Sequence, residues 1–314
     1  MPTHYFRFIL RGDVNRGRAR LLERLLAGAD ACTPVSDWRE DAFRVISPPM
    51  TAMPGLGATA LYAERRSLVA GAVDGATAHG SVFIATPVHY VAEMSNVRLP
   101  ADGILSLRPS EAEALTVDFN QVWNDAGVRL LAGRSADLFC IVDETTSVAT
   151  RDPEVVLDRH IENDLPKGTG APRLRRLMSE IEMWLFEHAV NRNRNAAGVP
   201  AVNGLWLWGG GPALASLPPV DGWTAGDDVF FKAFAAQPDL PRDAASAVVV
   251  IGAQPGTDRW CAAESSWLER SVANLRAGRI ARLALSAGDR CFNISARWRL
   301  RFWRRPRPWW EYFP

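Results

Sequence analysis

Histidine is scarce in this chain, and none occurs beyond His188; the others are His4, His79, His89 and His160. A dinuclear hydrolytic centre needs several Asp, Glu or His side chains converging from different loops. No H-x-x-x-D or D-x-x-x-H pair follows residue 188, and Asp227, Asp228 and Asp258 have no evident colleagues in the sequence. Asp13, just after the first expected strand, is placed for one ligand but not for a set. The expectation is that no metal and no cofactor is held. Lysine is rarer still, with Lys167 and Lys232 against 34 arginines, and no Walker lysine follows a glycine-rich loop. The net charge of +1 removes any global electrostatic case for nucleic acid or membrane.

The four cysteines (Cys32, Cys140, Cys261, Cys291) show no C-x-x-C spacing, and Cys140 lies in the apolar run LFCIV of a buried reduced thiol. Apolar runs never reach eighteen residues, and Arg7 and Arg11 interrupt the start of the chain. Neither a membrane span nor a secretory leader is expected, which places the chain in the cytoplasm.

What is present is ordinary globular composition, 47% hydrophobic and 23% charged, over 314 residues. Expected strands at 4–10, 81–90, 136–142, 204–208 and 247–251 alternate with expected helices at 16–29, 58–72, 109–126, 172–188 and 260–277. Pro87 marks an edge or an end of its strand. The run 247–251 (AVVVI) reads as a strand covered on both faces, and the segments around Gly288-Asp289 read as a β-hairpin. Helix 109–126 carries a capping-box pattern in Ser110 and Glu113. The fold class is α/β, a mostly parallel sheet flanked by helices with a C-terminal β-hairpin. The main domain is expected to comprise 1–95 and 171–314, with an inserted subdomain at 96–170.

The stretch 199–212 (VPAVNGLWLWGGGP) carries the candidate site. A short strand ending at Gly209, Gly210 and Gly211 is where an open α/β sheet accepts ligands, on backbone that can be approached closely. Trp206 and Trp208 share one side of that strand, fit either to stack on a ring or to bury area under a helix. Upstream, His188, Asn191 and Arg194 recur every three residues. Asn191 and Arg194 either clamp an anion or cap and solvate a helix end; His188 reads as a hydrogen-bonded core residue. The terminal run 297–314 holds six arginines and four tryptophans. Alternation of Trp298, Leu300 and Phe302 with arginines favours a strand packed on its own domain over a nucleic-acid tail.

From His188 to Gly211 the chain resembles the H-x-x-N-x-x-R-x-x-x-G-x-x-x-x-N-x-x-W-x-W-G-x-G pattern of archaeal-type cofactor-independent phosphoglycerate mutases. These belong to the alkaline phosphatase superfamily, and a bacterial offshoot of RpfE-type regulatory proteins is similar. The resemblance implies an alkaline-phosphatase-like sheet with a reduced lid, and makes Asn191, Arg194, Asn203, Trp206, Trp208, Gly209, Gly210 and Gly211 the candidate ligand-binding residues. It also exposes departures. The family's proline-glycine-serine turn carries the phosphoryl acceptor, whereas this chain reads Pro54-Gly55-Leu56. Its Arg-x-Asn is replaced by Ala85-Thr86-Pro87, its Asp-Gly metal turn by Arg11-Gly12-Asp13, and its late Asp and His ligands have no counterpart. The resulting expectation is a non-catalytic, regulatory relative that takes a small phosphorylated or anionic metabolite or a protein partner. The alternatives are a divergent metal-dependent mutase or phosphatase, and nucleic-acid binding through the tail.

Overall fold

The first strand, β1 (Thr3–Ile9), lies in parallel between two strands from the far end of the chain. In this computed structural model the described residues are 2–9, 20–35, 37–68, 80–133, 136–144, 147–226, 228–235, 246–252 and 267–313. They form two units, Met1–Met53 with Pro218–Pro314, and Pro54–Leu217.

In the first unit β1 is followed by α1 (Arg20–Ala27), β2 (Ala31–Pro34) and α2 (Trp38–Ile46). The chain returns after residue 217 to supply β10 (Trp223–Gly226), α7 (Val229–Lys232), β11 (Ala247–Gly252), α8 (Glu269–Arg276), β12 (Arg282–Ala287) and β13 (Arg290–Ile294). The six-stranded sheet runs β10-β11-β1-β12-β13-β2; its first three pairings are parallel and its last two antiparallel. The fold is therefore mixed α/β with a parallel-containing sheet. Strand β11 has a parallel partner on each side and Ala247–Val250 are buried, which is why its sequence is uniformly apolar. The expected hairpin is β12–β13, with Gly288 at φ +55 in its turn.

The tail corrects one expectation. Residues Ala296–Arg301 form a 3₁₀ helix rather than a strand. Three residues per turn turn Trp298 into the core and leave Leu300 and Phe302 exposed. Trp309 and Phe313 return to the same hydrophobic core, so the end of the chain is strapped down by aromatic burial.

The second unit holds α3 (Leu56–Leu68), β3 (Ser81–Val88), β4 (Val91–Ala92), β5 (Val97–Leu99), α4 (Pro109–Trp123), β6 (Val128–Ala132), β7 (Leu138–Val142), β8 (Arg159–His160), α5 (Ala171–Phe186), α6 (Ala189–Ala196) and β9 (Gly204–Pro212). An antiparallel sheet runs β6-β7-β3-β9, and β4, β5 and β8 make a small second one. Residues 96–170 thus share a sheet with β3 and β9, because β7 pairs β3 directly; the contacts divide the chain near residues 53 and 217 instead of 95 and 170. The β7 pairing of β3 ends at Ile84; on that side of Pro87 the chain at Ile104–Leu105 takes over, the Leu105 amide donating to the Pro87 carbonyl at 2.9 Å without a return bond, since proline has no N–H.

The expected helix 172–188 is two helices. Glu187 ends α5, and His188 is the extended N-cap of α6, its Nδ1 accepting from the Val190 amide at 3.1 Å. Helix α4 is capped two residues earlier than its sequence suggested. Glu111, not Glu113, reaches back to the Arg108 amide at 2.8 Å, with Pro109 following where no N–H is needed. The expected helical residues 16–19, 69–72 and 260–266 lie outside the described residues. No helix among the described residues is long and apolar enough to cross a membrane.

Candidate functional site

Strand β9 does not stop at Trp208. It continues through Gly209, Gly210 and Gly211 to Pro212, and the register against β3 shifts between Val82 and Ile84. Gly209 and Gly210 together oppose Phe83: a β-bulge whose first residue, Gly209, sits at φ +65. The glycine run expected to be a ligand loop beyond the strand is thus a bulge inside it. A Cβ on Gly210 would come 2.2 Å from Phe83 Cε1, and one on Gly211 would come 2.6 Å from the Gly55 Cα. Side chains are missing here because neighbouring backbone and an aromatic ring already fill the space.

Leu56 lies on the other side of this bulge. It opens α3, and a Cβ on Gly209 would come 2.7 Å from its own Cβ. The Pro54-Gly55-Leu56 turn and the glycine triplet are therefore in direct contact, although about 150 residues apart in sequence, a loop whose closure entropy grows only slowly with its length. The Gly209 amide donates to Thr150 Oγ1 at 3.0 Å.

The other candidate residues turn their polar groups inward. Asn191 Nδ2 donates to the Leu185 and Val202 carbonyls, both at 2.7 Å, and its Oδ1 accepts from the Val202 amide at 2.8 Å. It caps the end of α5 and at the same time fixes the approach to β9. Arg194 donates from Nε to the Pro200 carbonyl at 2.8 Å and from Nη1 to Glu111 Oε2 at 3.0 Å. Asn203 exchanges a pair of bonds with the Tyr90 backbone, extending the β3–β9 pairing by a side-chain amide. Trp206 Nε1 donates to the Arg151 carbonyl and Trp208 Nε1 to Thr86 Oγ1, and both indoles are buried. Asn191, Arg194, Asn203, Trp206, Trp208 and Gly209 thus each have a hydrogen-bond partner within the second unit, among them Glu111, Tyr90 and Thr150, which the motif does not contain. The capping-box reading pointed to Glu113 instead of Glu111, because it took Ser110 and not Arg108 as the cap.

His188 Nδ1 accepts an amide hydrogen, so its proton sits on Nε2 and is donated to Asp118 Oδ2 at 3.1 Å. Burial holds its pKa below 6.5, outweighing the opposite pull of Asp118. Burial also acts on Glu111, upward, but the Arg108 hydrogen bonds and the charges of Arg194 and Arg108 win and leave its carboxyl below the usual range.

Among the described residues no group of three or more His, Cys, Asp or Glu is arranged to hold a metal ion. Asp228, read from sequence as lacking colleagues, is fully engaged. One oxygen caps α7 through the Phe230 and Phe231 amides, and the other pairs with Arg39 at 2.9 Å, both side chains being buried. Asp13, Asp227, Asp258, His79 and Cys261 lie outside the described residues.

No family model matches the chain. Two curated proteins match it locally. A 2,3-bisphosphoglycerate-independent phosphoglycerate mutase of Methanothrix thermoacetophila is 33% identical over 92 residues, covering 29% of this chain and 23% of the relative. A probable enzyme of the same description from Geobacter sulfurreducens is 39% identical over 67 residues, covering 21% and 17%. The relatives are cofactor-independent phosphoglycerate mutases. The matched stretches span less than a quarter of each relative's length. Among solved structures, a cofactor-independent phosphoglycerate mutase of Thermoplasma acidophilum has a TM-score of 0.37 at 11% identity, covering 93% of this chain and 89% of its own. A protein of Pyrococcus horikoshii has a TM-score of 0.38 at 10% identity, covering 93% and 87%.

Proposed function

We propose that this protein is a non-catalytic relative of the cofactor-independent phosphoglycerate mutases, with a regulatory role, in which the mutase-like block has become a structural brace. The observation that carries the reading is Leu56. In the turn where the family is expected to present its phosphoryl-accepting serine, this chain places an alkyl side chain packed on Gly209. A hydrocarbon cannot form the phosphoenzyme on which such transfer depends. The engagement of Asn191, Arg194 and Asn203 with their own backbone supports the same reading, since each spends on the fold the groups that would clamp an anion. Inheritance of a scaffold does not bring the chemistry with it once the reacting groups are replaced. Under this reading the six-stranded sheet is the alkaline-phosphatase-like element.

The test is a phosphoglycerate interconversion assay on the full chain with manganese or zinc supplied, alongside calorimetric titration of each metal. No turnover above the metal-only control is expected. Stoichiometric metal binding, together with turnover that disappears in Asp13→Ala, would establish a divergent metal-dependent enzyme and end the proposal.

A further inference from the structure

A cavity of about 710 Å³ opens in the first unit between the end of α1, the edge strand β2, β13 and the C-terminal strap. Its volume is that of sites taking small organic ligands. Leu26, Ala29 and Phe292 supply an apolar wall, while Arg290, Arg304, Arg305 and Arg307 line the rest.

The walls are set before any ligand arrives. Arg301 ties the strap to Asp30 Oδ1 at 2.6 Å and to the Gly28 carbonyl, and Arg304 Nη1 donates to the Ala29 carbonyl at 3.0 Å. Arg290 holds the Tyr312 carbonyl at 3.3 Å, and buried Trp309 and Phe313 anchor the segment on either side of Tyr312. A surface tail held only by its charges would have no such path.

The charge in this cavity is unbalanced. Four arginines line it with two carboxylates, Asp30 and Glu311; Asp30 is already committed to Arg301 and to the Ser295 amide, and Arg290 lies 4.0 Å from Asp289, leaving Arg305 and Arg307 uncompensated. Among the described residues, Arg305 makes no hydrogen bond or ion pair, and the Arg307 guanidinium only lies over the Tyr312 ring at 5.8 Å. Crowding like charges in one concavity is unfavourable unless an anion shares it, and guanidinium forks match phosphate oxygens in a bidentate geometry. We propose that this cavity is a binding site for a small organic molecule bearing a diphosphate or two phosphate groups. Arg305 and Arg307 grip the anion, and Leu26 and Phe292 face its organic part. The site stands apart from the mutase-like block and does not depend on whether the chain turns over substrate.

Isothermal titration of the full chain with pyrophosphate tests this, using Arg305→Gln/Arg307→Gln as the comparison. Neither side chain holds the fold, so the variant should melt with the wild type. Saturable one-to-one binding is expected, weakened at least tenfold in the variant, about 1.4 kcal/mol. Absence of saturable binding, or equal affinity in the two proteins, overturns the site. So does binding to phosphatidylglycerol vesicles without binding to free pyrophosphate, which would assign the arginines to a lipid surface. Preference for a short single-stranded oligonucleotide, with affinity falling steeply in salt, would assign them to nucleic acid and overturn it likewise.

Discussion

Arg194 and Glu111 meet at 3.0 Å from 83 residues apart, with both side chains less than a tenth exposed. The pair joins α6 to the first turn of α4, and Glu111 simultaneously caps that turn through the Arg108 amide. Removing one member of a buried pair leaves the other charge stranded, a loss of about 3 kcal/mol. Glu111→Gln should therefore lower stability by that order in chemical denaturation. Glu111→Leu/Arg194→Leu should cost less than the two single changes added together; strict additivity would show that the two side chains are not coupled.

The same carboxylate has a signed pH dependence. Its folded pKa lies below the ordinary value of 4.5, so its stabilisation is complete above 4.5 and is lost as pH falls through the lower folded value. Denaturation midpoints of the wild type should drop across that acid window, and those of Glu111→Gln should drop less. Parallel acid limbs would contradict the assignment.

His188 gives a separate window nearer neutrality. Its folded pKa is depressed below 6.5 by burial, so the folded state keeps the ring neutral while the unfolded chain protonates first. The stability it contributes is present above 6.5 and lost as pH falls towards its folded value. His188→Asn keeps a capping side chain without a titrating ring. Its midpoint should change less than that of the wild type between neutral and mildly acidic pH; an unaltered dependence would remove His188 as the cause.

Asn191 is satisfied on both sides of its amide, which makes the isosteric Asn191→Asp a sharp test. The change points a carboxylate oxygen at the carbonyls of Leu185 and Val202 where Nδ2 now donates. Two buried acceptors lose their donor, and the expected destabilisation is about 3 kcal/mol. A melting temperature within error of wild type would mean that the brace is not holding α5 to β9.

The bulge predicts a size-dependent interaction between Gly210 and Phe83. Gly210→Ala should destabilise by about 1–3 kcal/mol through overpacking against the ring. In a Phe83→Leu background the added methyl group gains room, so the penalty should shrink and a double-mutant cycle should return a favourable coupling energy. An unchanged penalty would place the strain in the backbone instead.

Residue pattern alone was enough for the features governed by neighbours within a turn or a strand. The apolar run at 247–251 reads as a strand covered on both faces, the Gly288-Asp289 pair as a chain reversal, and the side chain at 56 as an alkyl group with no nucleophilic atom. Each depends on local periodicity, on φ, or on a single functional group. Tertiary structure decided which polar groups remain free, because that depends on partners far away in sequence. Arg194 reads as an anion clamp until Glu111 and Pro200 take its donors. Three glycines read as a phosphate loop until Phe83, Gly55 and Leu56 fill the space beside them. The tail reads as an alternating strand until Trp298, Trp309 and Phe313 bury themselves and leave Arg304, Arg305 and Arg307 lining one cavity with Arg290 of β13. Hydrogen-bond capacity and empty space are properties of the folded neighbourhood, and a one-dimensional spacing does not contain them.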